Sequence, residues 1–179
     1  MKKKCILFLC LYILSFSFGC GANTDYNPSP YIDLNTLDDI WIEADQESIS
    51  CSSVRVFIHN TSERDDFFTG LWYCIEEKKG DTWYSLPLQD YGGFVPSLAI
   101  EIPTASEISS GFIDGIDYNS KSELAWKRSP PNEMEFKFEY LYGKLSAGDY
   151  RIIIEVMSEK DIPIDDSDKY YLSAPFSIE

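Results

Sequence analysis

Apolar and polar residues alternate with a period of two along most of this chain. In EMEFKFEYL (residues 133–141), one face carries Met134, Phe136, Phe138 and Tyr140, with charged residues between them. The same period recurs in IWIEA (40–44), VRVFIHN (54–60), DYRIIIEV (149–156) and the last segment, where one face carries Tyr170, Leu172, Phe176 and Ile178. This period predicts strands with one face on a core and one in water.

The segment GLWYCIEEKKGDTWYSLPL (70–88) has a turn signal in its middle. Lys79, Gly80 and Asp81 divide it into two strands, which predicts a hairpin. We find no convincing long helical period. About seven to nine short strands, each with one wet face, predict an all-β fold in the form of an antiparallel β-sandwich.

A turn before one of these strands indicates the type of sandwich. In LSAGDYRI, Leu145 enters the turn, Gly148 supplies a permissive backbone and Tyr150 begins the strand. This arrangement resembles the tyrosine corner of immunoglobulin-type sandwiches, in which the phenol hydroxyl bonds back to the main chain. We therefore expect these three residues to have a structural role in an immunoglobulin-like sandwich.

The N-terminus predicts export. Three lysines and an apolar stretch from Cys5 to Phe18 match the charged and hydrophobic regions of a signal peptide, residues 1–19, and the stretch is too short to span a membrane comfortably. Gly19 and Cys20 resemble the lipobox of bacterial lipoproteins. That resemblance implies acylation of Cys20 and lipid anchoring at the outer face of the cell membrane. The alternative is ordinary cleavage near Ala22 and a secreted protein.

The segment after the cysteine has no apolar period. Residues 20–35 are rich in Asn, Asp, Ser and Pro, a composition that predicts a flexible tether. An edge strand around Tyr31 to Leu34 is the alternative. Residues 36–179 then form one sandwich domain of ordinary size.

The charge of the chain restricts its partners. Removal of the first nineteen residues leaves twelve basic residues against thirty acidic ones, a net charge of −18. Such a surface repels phosphate backbones and anionic headgroups. We expect no nucleic-acid partner, and contact with the membrane only through the N-terminal lipid.

Two cysteines remain after the signal peptide and Cys20 are set aside. Cys51 and Cys74 form an even pair in an oxidising compartment, which suggests a disulfide. In the two-residue alternation, however, both cysteines fall at positions that face solvent. A bridge between two sheets needs inward-facing residues. The alternative is two unpaired thiols.

The residue inventory gives no sign of catalysis. His59 is the one histidine, so neither a multi-histidine metal site nor a Ser-His-Asp triad with a spare histidine can form, and its parity predicts a solvent-facing strand position. The acidic run DIPIDDSDKY (161–170) lacks the glycine and the distal glutamate of an EF-hand loop. We predict no catalytic residue, no metal site and no cofactor.

The segment 94–132 is a long inserted loop between predicted strands. Its aromatic and apolar residues follow little period, and Phe112, Ile116, Tyr118 and Trp126 are the candidates for a binding loop. A loop that packs over one end of the sandwich is the alternative.

Two stretches resemble a known family. HNTSERDDFFTG with LWYCIEEKKGDTWYSLP (59–87), and LYGKLSAGDYRII (141–153), are similar to bacterial Ig-like domains found in exported proteins of mostly Gram-positive bacteria. The likeness spans about Ile40 to Val156, and the long segment 94–132 departs from it. It implies fold and compartment, and that family has no catalytic residues to carry over.

The expected function follows from these points. The chain is predicted to be a non-catalytic, membrane-anchored Ig-like lipoprotein, a monomer that binds or spaces an unknown protein or cell-envelope partner. The alternative is a proteinase-inhibitor-like sandwich that acts through the loop 94–132.

Overall fold

The computed structural model describes residues 26–62, 67–89, 100–110, 112–113, 116–117, 132–158 and 169–179. Strands account for most of these residues: β1 (Asn27–Pro28), β2 (Ile40–Ala44), β3 (Ser53–Asn60), β4 (Phe67–Lys79), β5 (Thr82–Ser85), β6 (Ile100–Ile102), β7 (Phe112–Ile113), β8 (Ile116–Asp117), β9 (Glu133–Lys137), β10 (Gly148–Ser158) and β11 (Lys169–Ile178). The helices within these residues are short: a 3-10 helix (Gln46–Ser48), α1 (Ala105–Ser110) and α2 (Glu139–Tyr142).

Nine of the described strands form two packed antiparallel sheets. Sheet A has the order β1-β5-β4-β10-β11, with β6 also paired to β4, and sheet B has the order β2-β3-β9. The remaining pair, β7 and β8, forms a separate ladder. The predicted all-β sandwich is therefore confirmed.

The order of the strands is that of an immunoglobulin-like sandwich. β2 and β3 pair in sheet B, β4 crosses to sheet A, β9 returns to pair with β3, and β10 and β11 complete sheet A beside β4. These crossings between facing sheets give the Greek-key connection of that fold.

The core lies between the two sheets and follows the alternation of the sequence. Ile152 and Ile154 of β10 are fully buried in it, whereas Arg151 points to the opposite face. Sheet B contributes the alternate residues of β2 and β3, which are Ile40, Ile42, Ala44, Val54, Val56 and Ile58. Burial of these side chains contributes about 25 cal/mol for each Å² of apolar surface removed from water.

The strand predicted over residues 133–141 ends earlier than expected. β9 stops at Lys137, and Phe138 is still buried, but Tyr140 is 67% exposed, so its predicted place on the inner face is wrong. The backbone N–H groups of Phe138 and Glu139 both donate to the carbonyl oxygen of Ser52. The chain then turns into α2, which rotates Tyr140 to the surface.

The tyrosine corner has the predicted geometry. Tyr150 is 2% exposed, and its hydroxyl donates to the carbonyl oxygen of Ser146 over 2.9 Å. Leu145 is buried in the same core. Gly148 is not in the left-handed region, so it does not supply a special backbone conformation. A Cβ there would lie 3.4 Å from the Tyr150 ring, an ordinary van der Waals contact.

The predicted tether is wrong for its described part, residues 26–35. β1 pairs with β5, and the Ser29 amide continues that ladder by donating to the carbonyl oxygen of Trp83 over 2.9 Å. At the opposite edge of sheet A, the Asn35 amide donates to the carbonyl oxygen of Tyr171 over 2.9 Å. Residues 29–35, here called the strap, therefore cross the outer face of sheet A from one edge to the other.

Side-chain contacts hold the strap in place. The Tyr31 ring packs against Trp72 and Tyr171, with centroid distances of 6.2 and 4.9 Å. Asn35 takes a left-handed backbone conformation, with φ 56°, and its side chain accepts a hydrogen bond from the Ser173 amide over 2.8 Å. Left-handed backbone is tolerated by Asn better than by most residues. A segment that crosses a sheet once, as the strap does, leaves no repeating pattern of apolar residues in the sequence.

The segment 94–132 is not a simple loop where it is described. β6 pairs with the first part of β4, with Ile102 buried opposite Phe67. The Asn60 side chain donates to the carbonyl oxygen of Ile102 over 3.0 Å. This part therefore packs on the sandwich, as in the alternative drawn from the sequence.

We expect Tyr150→Phe to lower the free energy of unfolding by about 1 kcal/mol, because it removes one hydrogen bond to a backbone carbonyl. Tyr150→Ala removes the ring as well, and we expect a loss of about 3–5 kcal/mol. Urea unfolding of residues 20–179 measures both. Equal losses for the two variants would contradict a role for the hydroxyl that is separate from packing.

Candidate functional site

The outer faces of the two sheets have different environments. On sheet A, Ile75 and Ile152 point into the core, so their neighbours Glu76 and Arg151 point outward and lie opposite each other in register. The Arg151 Nη2 and Nε atoms lie 2.6 and 2.8 Å from Glu76 Oε2. This ion pair is almost fully buried, because the side chains are 13% and 0% exposed.

Neighbouring polar groups satisfy the buried pair. The Ser85 hydroxyl donates to Glu76 Oε1 over 2.9 Å, and Arg151 Nη2 donates to Ser29 Oγ of the strap over 3.2 Å. The guanidinium also lies over the Trp83 ring, 4.6 Å from its centroid. A buried ion pair is tolerated when hydrogen bonds of this kind satisfy both partners. The outer face of sheet A therefore serves as a binding surface for the chain's own N-terminal segment.

The two cysteines agree with the alternative drawn from the sequence, two unpaired thiols, and not with a disulfide. Cys51 is an exposed free thiol in the turn before β3, and Cys74 is a buried free thiol on β4. Cys74 has the same parity as Glu76, so its side chain points away from sheet B. Burial raises the pKa of Cys74 to about 11, with a further contribution from the Glu76 carboxylate. Burial similarly raises the pKa of Tyr31 to about 12.

The outer face of sheet B carries aromatic and charged side chains in adjacent rows. Seven residues of its three strands define this surface, here called the binding face: Trp41, Glu43, Arg55, Phe57, His59, Glu133 and Glu135. Trp41 is 41% exposed, and its ring stacks on His59 at a centroid distance of 4.9 Å and an interplanar angle of 11°. A large, half-exposed aromatic residue is the most distinctive feature of this face, since such residues are common at binding surfaces.

His59 lies on the solvent side of β3, as predicted, and is partly covered. Its side chain is 35% exposed, yet the Nε2 atom is buried and makes no hydrogen bond. Glu43 Oε2 lies 3.6 Å away, so the two groups form an ion pair only when the imidazole is protonated. A buried polar atom without a hydrogen bond is uncommon in folded proteins, and here it lies beside the exposed Trp41 ring.

A shallow cleft lies at the other end of the binding face. It has a volume of about 240 Å³ and is lined by Ser48, Ser53, Arg55, Glu133 and Glu135. Arg55 Nε lies 3.0 Å from Asp45 Oδ2, and Nη1 lies 3.6 Å from Glu133 Oε2. Acidic groups outnumber basic ones here, which favours a polar or cationic partner group over an anion.

The described residues offer little for chemistry that depends on a metal. Within them, no group of three or more His, Cys, Asp and Glu side chains is arranged to hold a metal ion. The same residues include no helix of the length and apolarity needed to cross a bilayer.

Three of the predicted site residues, Cys20, Tyr118 and Trp126, lie outside the described residues, as does the acidic run from Asp161 to Asp168. Phe112 and Ile116 are described by backbone only, as members of the β7–β8 ladder. The binding face was not predicted from the sequence. Its one signal was Trp41, a large aromatic on the wet parity between Ile40 and Ile42.

Comparison with known proteins gives no relative: no family model, no curated protein and no solved structure matches this chain.

We expect one fast-reacting thiol in native protein of residues 20–179 with Cys20→Ser, titrated with a disulfide reagent at pH 8. Cys51 is exposed, whereas burial and a raised pKa keep Cys74 unreactive. Unfolding in guanidinium exposes both thiols, and Cys51→Ser as a control removes the fast one. If titration of the unfolded, unreduced protein detects neither Cys51 nor Cys74, the two residues form a disulfide and this prediction is contradicted.

We expect Arg151→Met to lower the free energy of unfolding by about 3–5 kcal/mol, because it leaves the Glu76 carboxylate buried without its counter-charge. The double variant Glu76→Leu with Arg151→Met restores part of this loss. Lys137→Ala breaks the exposed pair with Glu135 as a control, and we expect a loss of at most about 1 kcal/mol. A loss for Arg151→Met no larger than for Lys137→Ala, measured by urea unfolding, would contradict the importance of the pair.

Proposed function

We propose that this protein is a non-catalytic, exported Ig-like lipoprotein, held at the outer face of the membrane by acyl chains on Cys20. It acts as a binding module for a protein or another component of the cell envelope, or as a spacer that holds such a partner at a distance from the membrane. The partner contact is made by the binding face. The family resemblance of residues 59–87 and 141–153 supports the compartment, and the immunoglobulin-like strand order agrees with that resemblance.

One observation carries this proposal. The strap covers the outer face of sheet A, whereas the outer face of sheet B keeps a half-exposed tryptophan, a histidine with an unsatisfied nitrogen and an acidic cleft. The chain itself covers one sheet face, whereas the other sheet face keeps an aromatic surface. The uncovered aromatic face is therefore the surface available to a partner.

The charged groups of the binding face also fit a binding module. Arg55 forms ion pairs with Asp45 and Glu133, and Glu135 forms an ion pair with the neighbouring Lys137. Paired charges of this kind at a surface give specificity towards a partner of complementary charge.

The anchor is tested by fractionating bacterial cells that express the full chain. We expect the wild-type protein in the membrane fraction, with processing blocked by globomycin, because lipid attachment through Cys20 provides the membrane affinity. Cys20→Ser moves the protein to the soluble extracytoplasmic fraction. Identical distributions for the two proteins would contradict lipid anchoring.

The partner contact is tested in the same cells by crosslinking and affinity capture. Trp41→Ala removes the exposed ring, and we expect the captured partner to be lost. Leu88→Ala is a matched control, because Leu88 is 62% exposed and lies outside the binding face. A second arm replaces residues 104–127 by a short Gly-Ser turn. Loss of the partner only in this arm would place the contact in the segment 94–132 and overturn the assignment to the binding face.

A further inference from the structure

We propose that the bilayer holding Cys20 is also in contact with one particular part of the domain, the β1–β5 edge of sheet A together with the β4–β5 hairpin. This inference rests on the lipid anchor proposed above. It follows from the strap, which shortens the free chain between the lipid and the sandwich.

The maximum length of the chain between Cys20 and Tyr26 limits the distance between the lipid and the domain. Tyr26 packs on the sandwich and β1 pairs from Asn27, so six residue steps separate Tyr26 from Cys20. A fully extended chain spans at most about 3.3–3.6 Å for each residue, which limits the separation to about 20 Å. If residues 20–35 were all free, the same rule would allow about 50 Å.

The side chains beside this entry point suit a membrane interface. Lys79 Nζ lies 3.3 Å from the centroid of the Tyr26 ring, so the β4–β5 hairpin lies directly beside the place where the chain enters. The Tyr26 and Tyr84 rings pack edge to face at 6.2 Å, and Lys78 Nζ lies over the Trp83 ring at 5.9 Å. Trp and Tyr are enriched at the headgroup level of membranes, and lysines extend from there into water.

The local charge of this edge permits the contact. The chain as a whole is strongly acidic, and anionic headgroups repel acidic surfaces. At the hairpin, however, Glu76 is paired with Arg151, and Lys79 Nζ lies 3.3 Å from Glu77 Oε2. Lys78 offsets the exposed Asp81. The edge is therefore close to neutral, unlike the rest of the chain.

The Trp41 end of the binding face is turned away from the bilayer in this arrangement. The hairpin lies at the Glu77 and Tyr150 end of sheet A, whereas Phe67 and Ile102 lie at the other end. Asn60, paired with Ile40 of β2, contacts Ile102, so Trp41 is near the end opposite the hairpin. β2 also neighbours β11, the edge opposite β5.

Fluorescence energy transfer from the domain to a headgroup-labelled lipid tests the inference. The lipidated chain, in a Cys51→Ser background, carries a donor on either Asp81→Cys at the hairpin or Asp38→Cys just before β2. Both positions are exposed acids. In phosphatidylglycerol vesicles we expect transfer at least about twofold higher from position 81, because the tether allows only about 20 Å at that side.

Two further variants separate the causes. Ten Gly and Ser residues inserted between Thr24 and Asp25 lengthen the tether and leave the strap intact, so we expect the contrast between the two positions to fall. Lys78→Glu with Lys79→Glu reverses the charge of the edge and lowers transfer from position 81. Reversal of Lys169, on β11 at the opposite edge and opposite end of sheet A, is the control, and it leaves transfer from position 81 unchanged.

The outcomes distinguish this inference from the proposed function. Failure of the lipidated chain to float with vesicles overturns the anchor, and with it this inference. Flotation with equal transfer from the two positions leaves the anchor standing and overturns the membrane contact. A contrast that is unaffected by the inserted residues overturns the role of the strap.

Discussion

The buried ion pair between Glu76 and Arg151 is the interaction on which the rest of sheet A depends. Both residues occupy positions that face water in an ordinary sandwich, and both are covered here. A carboxylate can be buried at that point only because a guanidinium lies against it, supported by Ser85 and Ser29. The pair thus makes a polar sheet face compatible with a covering strap. It also fixes where the N-terminal segment enters the domain.

Residue alternation was sufficient to predict the sandwich but not the segments that lie across it. β2, β3, β10 and β11 follow the two-residue period because each has a core on one side only. Tyr150 was predictable because the corner has a local signature. The strap was not, since a segment that crosses strands contacts several of them once each, through Tyr31 and Asn35. Phe138 and Tyr140 show the same limit, because the turn into α2 is set by hydrogen bonds to Ser52, which is distant in sequence.

The candidate site was still harder to predict. Cysteine parity argued correctly against a bridge between Cys51 and Cys74, and the evenness of the count argued for one. The direction of the Cys74 side chain decides between these two arguments, because Cys74 faces the strap rather than sheet B. The aromatic residues that the sequence offered for binding lie in the segment 94–132. The structure instead brings Trp41, Phe57 and His59 together through strand register, a relation that no spacing along the chain displays.

Asn35 has a consequence for how copies of this protein behave side by side. Its main chain and side chain occupy the outward-facing groups of Tyr171 and Ser173 on β11. Two residues further on, Pro175 has no N–H to offer on that edge. An exposed strand edge is a template for adding a foreign strand and the usual starting point of fibrils. By closing this edge with its own residues, the sandwich resists edge-to-edge polymerisation even when neighbouring copies are crowded together.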